Sequence, residues 1–349
     1  MCPCVMPNKS AESRCMVFYI GKLQKKSSEE KLFYQLAYKS LHKVRLGRKT
    51  SAGIPHEGAE EGLFKQYEGD DTDKQQTYIQ WRAAMEMDIL ARLTAGHRTT
   101  IYIQPIGTIP ASVLNFSLEI NNECMPLLDI LRCFTEIFFT PKQATVLPAV
   151  HISEAGWVIG ERTSKLTGEP QLLVRDFYPY LFKRVPRDGV CIMGLSWLDL
   201  YPCDKLNFVL GESSCAHKAG VFSFGRFDSR VPQQPSEGVA VDGPMLWQLL
   251  KTLTHEVCHL LRLEHCPFFW CTMNASHTVR EAMEQPLFLC PVCMRKVQKV
   301  CRFSLLERYT NMSTFLKQVN QQCQFVKFME SIEWLEKVMN FLMQTNNPR

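Results

Sequence analysis

A chain of 349 residues that is 46% hydrophobic can bury a substantial core, as one large domain or two. Its formal charge of +5, from 40 basic and 35 acidic residues, is a mild bias and argues against binding nucleic acid through bulk charge. Fifteen cysteines, odd in number and unevenly spaced, make no disulfide framework in a chain of this length and point instead to metal ligands and reduced thiols.

The first thirty residues hold one short apolar stretch, Met16 to Ile20, followed by Lys22, Lys25 and Lys26 rather than a cleavage site, so no secretory signal is expected. No stretch approaches the roughly 18 apolar residues of a membrane span. The expected setting is the cytosol or nucleus, as a monomer, with neither membrane nor nucleic acid as partner. Residues 1 to 98 read as a mostly helical region with a linker. Leu32, Phe33, Leu36 and Leu41 lie on one helix; Trp81, Met85, Ile89 and Leu93 lie on a second, closed by Gly96. Between them, Gly47 to Lys74 mixes Gly, Pro and charge in the manner of a linker, and the basic run Lys39 to Lys49 suits a solvated helix face. Cys2 and Cys4 form a C-x-C without neighbouring ligands and are assigned no role.

From Thr100 the texture becomes that of a mixed α/β layer structure. Ile101 to Ile103 is a short β run. Pro126 opens a helix whose apolar positions Leu127, Ile130, Leu131, Phe134, Ile137 and Phe138 keep the helical period until Pro141. Val146 to Ile152, Leu172 to Val174, Leu206 to Leu210 and Val221 to Phe227 read as strands, and Asp176 to Val185 as a helix. Val190 to Leu195, apolar throughout, suits the middle of a sheet. Arg230 to Gly243 reads as a loop, and the stretch holding Phe328, Ile332, Trp334, Leu335, Val338, Phe341 and Leu342 as one packing helix.

Asp242-Gly243-Pro244 is a helix start, with Asp as cap and Pro in the first turn. This helix should run to about Leu261. At 100° per residue Leu246, Leu249, Leu250, Leu253, Val257 and Leu260 share one face, and His255 and His259 point the other way. His255, Glu256 and His259 spell H-E-x-x-H, with His265 six residues on. One helical turn brings both rings to a common point, and Glu256 sits beside them, able to act on a coordinated water without ligating the metal. H-E-x-x-H alone arises by accident in roughly one chain of this length per hundred. The third His, and Cys266, Cys271, Cys290 and Cys293 as C-x4-C and C-x2-C, remove that explanation. The expected cofactors are two zinc ions. Three neutral imidazoles leave one zinc an open position and its full charge, bringing the pKa of its water toward about 7, with Glu256 as general base; four thiolates close the other as a structural site. Cys258 is expected only to pack, and Met273 to underlie the zinc as an apolar floor.

The order of these residues, HEVCHLLRLEHCPFFWCTM followed by CPVC, resembles the archaemetzincin family of zinc metallopeptidases. IYIQPIG (101–107), MGLSWLDLYPCDKLNFVLGES (193–213), GVFSFGRF (220–227) and FSLLERY (303–309) extend the likeness over roughly residues 100 to 310. The resemblance implies a metzincin-like catalytic domain over 99–310, with a twisted mixed sheet, an active-site helix and a Met-turn, flanked by the 1–98 region and a helical extension over 311–349. It also implies a peptide or protein substrate and aminopeptidase-like hydrolysis, with Val221 to Phe227 as the edge strand on which an extended peptide docks. One position departs: Arg262 stands where the family has Gly. A turn there calls for positive φ, which a residue bearing Cβ reaches at about 1 to 2 kcal/mol. Metal binding should hold the turn despite that strain, at reduced turnover; the alternative is a zinc-stabilised binding protein with an impaired site.

Overall fold

Alternation at period two sorts the strand residues of this chain onto two faces of one sheet, and the candidate metal ligands hang from a helix on one of them. The computed structural model describes residues 16–45, 63–65, 67, 76–87, 98–228 and 239–344. Cys2 and Cys4, most of Gly47 to Lys74, Ile89 to Gly96 and most of the Arg230 to Gly243 loop lie outside the described residues.

In chain order the strands are β1 (Thr100–Ile106), the hairpin β2 (Ser117–Ile120) and β3 (Glu123–Pro126), β4 (Gln143–Val146), β5 (Glu161–Thr163), β6 (Pro170–Leu173), β7 (Gly189–Ser196), β8 (Asp199–Tyr201), β9 (Gly211–Ser214) and β10 (Ala219–Ser223). The hairpin turns on Asn121 and Asn122, both at positive φ, as a two-residue turn of this kind requires. The central sheet has the order β4-β1-β7-β10-β9, parallel except for β9, which pairs antiparallel to β10. Ile101, Ile103, Cys191, Met193 and Leu195 face one hydrophobic cluster, while Tyr102, Ile106 and Ile192 face another. Val190 to Leu195 is thus central, as its unbroken apolar run requires.

Three strand expectations change. Of Val146 to Ile152 only Val146, the last residue of β4, is in a strand, and beyond it only an isolated bridge from Val150 to Ile106 pairs with β1. Leu206 to Leu210 is an irregular loop, because the carbonyls of Leu206 and Asn207 accept from the guanidinium of Arg162 (2.6 and 3.0 Å) rather than from a ladder. Val221 to Phe227 is strand only to Ser223, and β10 lies inside the sheet between β7 and β9. The edge is β9, whose sequence Gly-Glu-Ser-Ser carries no apolar residue and gave no strand signal.

The helices are α1 (Ser28–Arg45), α2 (Tyr78–Met87), α3 (Leu127–Phe138), α4 (Tyr178–Arg184), α5 (Gly243–Leu260), α6 (Val279–Glu284), α7 (Pro291–Cys301), α8 (Leu305–Gln322) and α9 (Val326–Gln344). α4 covers one sheet face, and α3 and α5 lie together on the other. On α1 the buried side is Phe33, Tyr34, Ala37, Tyr38 and Leu41, with Leu32 exposed. α1, α2, α8 and α9 contribute to the same apolar cluster as α5, so the layer behind the candidate site is drawn from both ends of the chain. Asp242 caps α5, accepting from the Met245 N–H at 2.8 Å, with Pro244 in the first turn. Every residue of α5 from Met245 to Cys258 is buried. The imidazole face of the helix is therefore roofed by protein, with β9 among the elements packed on it.

Candidate metal centre

α5 ends at the turn that the spacing of the third His requires. Arg262 has φ +64°, its N–H donates to the His259 carbonyl at 2.8 Å, and the Leu263 N–H donates to the Cys258 carbonyl at 3.1 Å. These two bonds form a Schellman cap, with Arg262 in the left-handed position that usually goes to Gly and Leu263 buried behind it. The positive φ expected at Arg262 is present. Residues remote in sequence clamp the same turn: Gln76 Nε2 donates to the Arg262 carbonyl (2.9 Å), the Glu264 N–H to Gln76 Oε1 (3.2 Å), and Trp81 Nε1 to the Leu261 carbonyl (3.0 Å).

The turn returns the chain so that the ligand atoms of His255, His259 and His265 lie within 4.8 Å of one another. Nδ1 of His255 is 2.7 Å from the Thr272 carbonyl, and Nδ1 of His259 is 2.7 Å from the Leu263 carbonyl. A carbonyl only accepts, so each Nδ1 carries the proton and each Nε2 a lone pair. The two Nε2 atoms face each other at 3.0 Å. Lone pairs aimed at one point repel unless a cation lies between them, and nitrogen donors suit zinc at about 2.0 to 2.1 Å. Burial pushes both imidazoles below their usual range, His255 further because of its neighbours His259 and Lys251, and the neutral ring is the form that ligates.

Glu256 is 5% exposed. Its Oε2 accepts from Ser213 Oγ at 2.7 Å, and the same hydroxyl lies 3.1 Å from the Glu256 carbonyl. Burial pushes the carboxyl up to about 7, against the Ser213 hydrogen bond, which holds it down. A Cβ placed on Gly211 would stand 2.8 Å from Oε1 and 2.9 Å from Cδ of Glu256, so the absence of a side chain there lets β9 close over this carboxylate. A cavity of about 680 Å³ opens onto His255, Glu256, His259 and His265, with β9 and Arg262 also on its wall. Lys251, one turn before His255, also lines it; burial brings its amine down to about 7, and it donates to Gln285 Oε1 at 3.0 Å.

The four thiols form a second cluster, all buried, with their sulfurs within 4.8 Å of one another. Cys266 follows His265 directly, while Cys290 caps α7 and Cys293 lies in its first turn. Cys266 Sγ and Cys290 Sγ are 3.5 Å apart, and the Cys290 N–H points at Cys271 Sγ (3.2 Å). Asn274 knits the knuckle, its Nδ2 donating to the carbonyls of Cys266 (2.6 Å) and Phe269 (2.9 Å) and its Oδ1 accepting from the Cys271 N–H (2.8 Å). Burial raises the Cys271 and Cys290 thiols; at Cys266 burial is overcome by S–H groups from the other three, and the thiol falls well below the usual range. Four sulfurs at this separation, closed to solvent, match a tetrahedral thiolate site with Zn–S near 2.3 Å. Met273 and Cys258 are fully buried, as packing roles require.

All seven metal-ligand candidates and Glu256 are thus brought together as two neighbouring groups. Sequence reasoning missed Ser213, Gly211, Lys251 and Gln76. Lys251 had a signal, since it sits four residues before His255 on the ligand face. The others act across the fold and carry none.

The fold and site define a mixed α/β protein with His and Cys clusters of the zinc-binding kind. Residues 187–299, about a third of the chain, match the family model described as Peptidase family M54. It is 32% identical over 232 residues to archaemetzincin-2 of Rattus norvegicus, covering 60% of this chain and 61% of that one. To archaemetzincin-1 of Homo sapiens it is 32% identical over 245 residues, covering 64% of this chain and 47% of that one. The chain therefore spans between about half and three fifths of the relatives it matches. A crystal structure of archaemetzincin from Methanopyrus kandleri aligns with a TM-score of 0.43 at 20% identity, over 60% of this chain and 98% of that one. Among the described residues no helix is long and apolar enough to cross a membrane.

Proposed function

We propose that this chain is a zinc-dependent metallopeptidase holding two zinc ions, one at His255, His259 and His265 and one at Cys266, Cys271, Cys290 and Cys293. Residues 99–310 form the catalytic domain, flanked by 1–98 and 311–349. The observation that carries this reading is the convergence of three imidazoles, their ligand atoms within 4.8 Å of one another, beside a buried carboxylate on the wall of an open cavity. Zinc bound there supplies a Lewis acid that polarises the scissile carbonyl and acidifies water. Glu256 takes the proton of the attacking water on its carboxylate and passes it to the leaving nitrogen. Ser213 Oγ fixes Glu256 Oε2, leaving Oε1 as the acceptor. The peptide lies along β9, the open edge of the sheet, with Gly211, Glu212 and Ser213 on the cavity wall. Glu264 on that wall suits a free α-amino group, which favours aminopeptidase-like action.

Two zinc ions per chain, falling to one in His255→Ala, are expected by elemental analysis. Glu256→Gln should retain both metals and lose 100- to 10,000-fold in peptide turnover. Acetylating the peptide amino terminus should abolish cleavage if the α-amino group is read. Full metal with no hydrolysis across a broad peptide library would remove the peptidase reading.

A further inference from the structure

A second cavity, of about 980 Å³, shares no lining residue with the metal centre and carries seven cations against two carboxylates, Glu29 and Glu30, on its wall. Lys22, Lys25 and Lys26 come from the turn before α1, Arg82 from α2, Arg295 and Lys299 from successive turns of α7, and Arg302 from its left-handed cap. The carboxylates do not balance them. Glu30 is committed to Lys26 (3.2 Å), Gln298 Nε2 (2.8 Å) and the Leu305 N–H (3.1 Å), while Arg82 is bound to Glu86 (2.6 Å). Among the described residues Lys22, Lys25, Arg295, Lys299 and Arg302 have no carboxylate partner.

An exposed cluster of this kind is ordinarily just solvated, but Arg295 is not exposed. It is 6% accessible, its Nη2 donates to the Lys22 carbonyl at 2.9 Å, and its guanidinium lies 5.3 Å from the Tyr78 ring and 5.8 Å from the Tyr34 ring. Its Nε is buried and has no acceptor among the described residues. A buried guanidinium at the wall of a cavity ringed by cations without carboxylate partners is the chemistry that recognises phosphate oxygens. Burial and the neighbouring Arg82, Arg295 and Arg302 together bring the Lys299 amine below its usual range.

We propose that this cavity binds a small anion carrying two or more phosphate groups, with Arg295 as its buried anchor. Its dimensions suit a compact ligand rather than a nucleic-acid strand. The source is a free phosphorylated metabolite or the headgroup of a polyphosphorylated lipid.

The test is isothermal titration of the full chain with inorganic tripolyphosphate at low ionic strength. It is run beside the triple variant Lys22→Gln, Lys25→Gln, Lys299→Gln, whose side chains are exposed and whose fold is not at stake. Removal of zinc by the probe is common to both proteins, so the difference between them reads the cavity. The wild type should bind, the triple variant at least tenfold more weakly, and Arg295→Lys several-fold more weakly; raising salt should weaken the wild type steeply. Vesicles doped with a bisphosphorylated inositol lipid, against plain phosphatidylcholine, separate the sources: binding to both probes assigns the headgroup, and to tripolyphosphate alone the free anion. No binding by the wild type, equal binding by the triple variant, or binding confined to single-stranded RNA overturns the proposal.

Discussion

Arg262 is the residue at which sequence and geometry disagree most, and Arg262→Gly measures the disagreement. At φ +64° the Cβ is crowded by its own carbonyl, costing about 1 to 2 kcal/mol, whereas Gly gives back about 0.5 to 1 kcal/mol through a more disordered unfolded chain. The two Schellman bonds and the Gln76 bond involve only backbone atoms of this residue, so the substitution keeps them all. The expected gain is about 0.5 to 1 kcal/mol, which in a chain this long moves the melting temperature by only about 1 °C, so denaturant titration is the better assay. Arg262→Ala keeps the strain and removes the guanidinium from the cavity wall. Peptide hydrolysis by both variants then separates the two effects. Faster turnover in both assigns the loss to charge near the zinc, and faster turnover in Gly alone assigns it to strain displacing His265. If Arg262→Gly is no more stable than Arg262→Ala, the strain argument fails; if neither outpaces the wild type, Arg262 does not limit the site.

Gly211→Ala should place Cβ within 3 Å of the Glu256 carboxylate and shift it, lowering turnover by about tenfold or more at unchanged zinc content; wild-type rates would mean that Glu256 is not held where β9 leaves it. Ser213→Ala removes a hydrogen bond that favours the ionised carboxylate, so Glu256 titrates higher and the acid limb of the pH–rate profile moves to higher pH. An unmoved limb would show that Glu256 is not the titrating base. Lys251 gives a stability signature of its own. With its pKa brought from 10.5 down to about 7, the unfolded chain holds one proton more than the folded chain between those values. Stability from this group therefore rises with pH across that window and is flat below it, and Lys251→Met should remove that slope in denaturant titrations from pH 7 to 10.

The candidate ligands were legible because metal sites of this kind are written locally. His255 and His259 are one turn apart on a helix whose cap and period are both in the sequence, and the cysteines pair across short gaps. Even the left-handed turn at Arg262 followed from the need to bring His265 back. The elements that make the imidazole cluster into a site were not legible, for the opposite reason. β9 is four half-buried polar or small residues recognisable as a strand only once β10 is beside them, so the docking edge was assigned to β10, the more apolar neighbour. Ser213 reaches Glu256 across 43 residues, and Gln76 and Trp81 reach the turn across 186 and 180. Such contacts leave no periodicity, since each depends on a single side chain meeting one atom far away in the sequence. The consequence is physical. A fragment that keeps every ligand and the whole M54 match but lacks Gln76 and Trp81 keeps the Schellman bonds at Arg262 and loses the three hydrogen bonds that hold the turn from outside. The position of His265 then rests on a cap whose central residue is the one least suited to it.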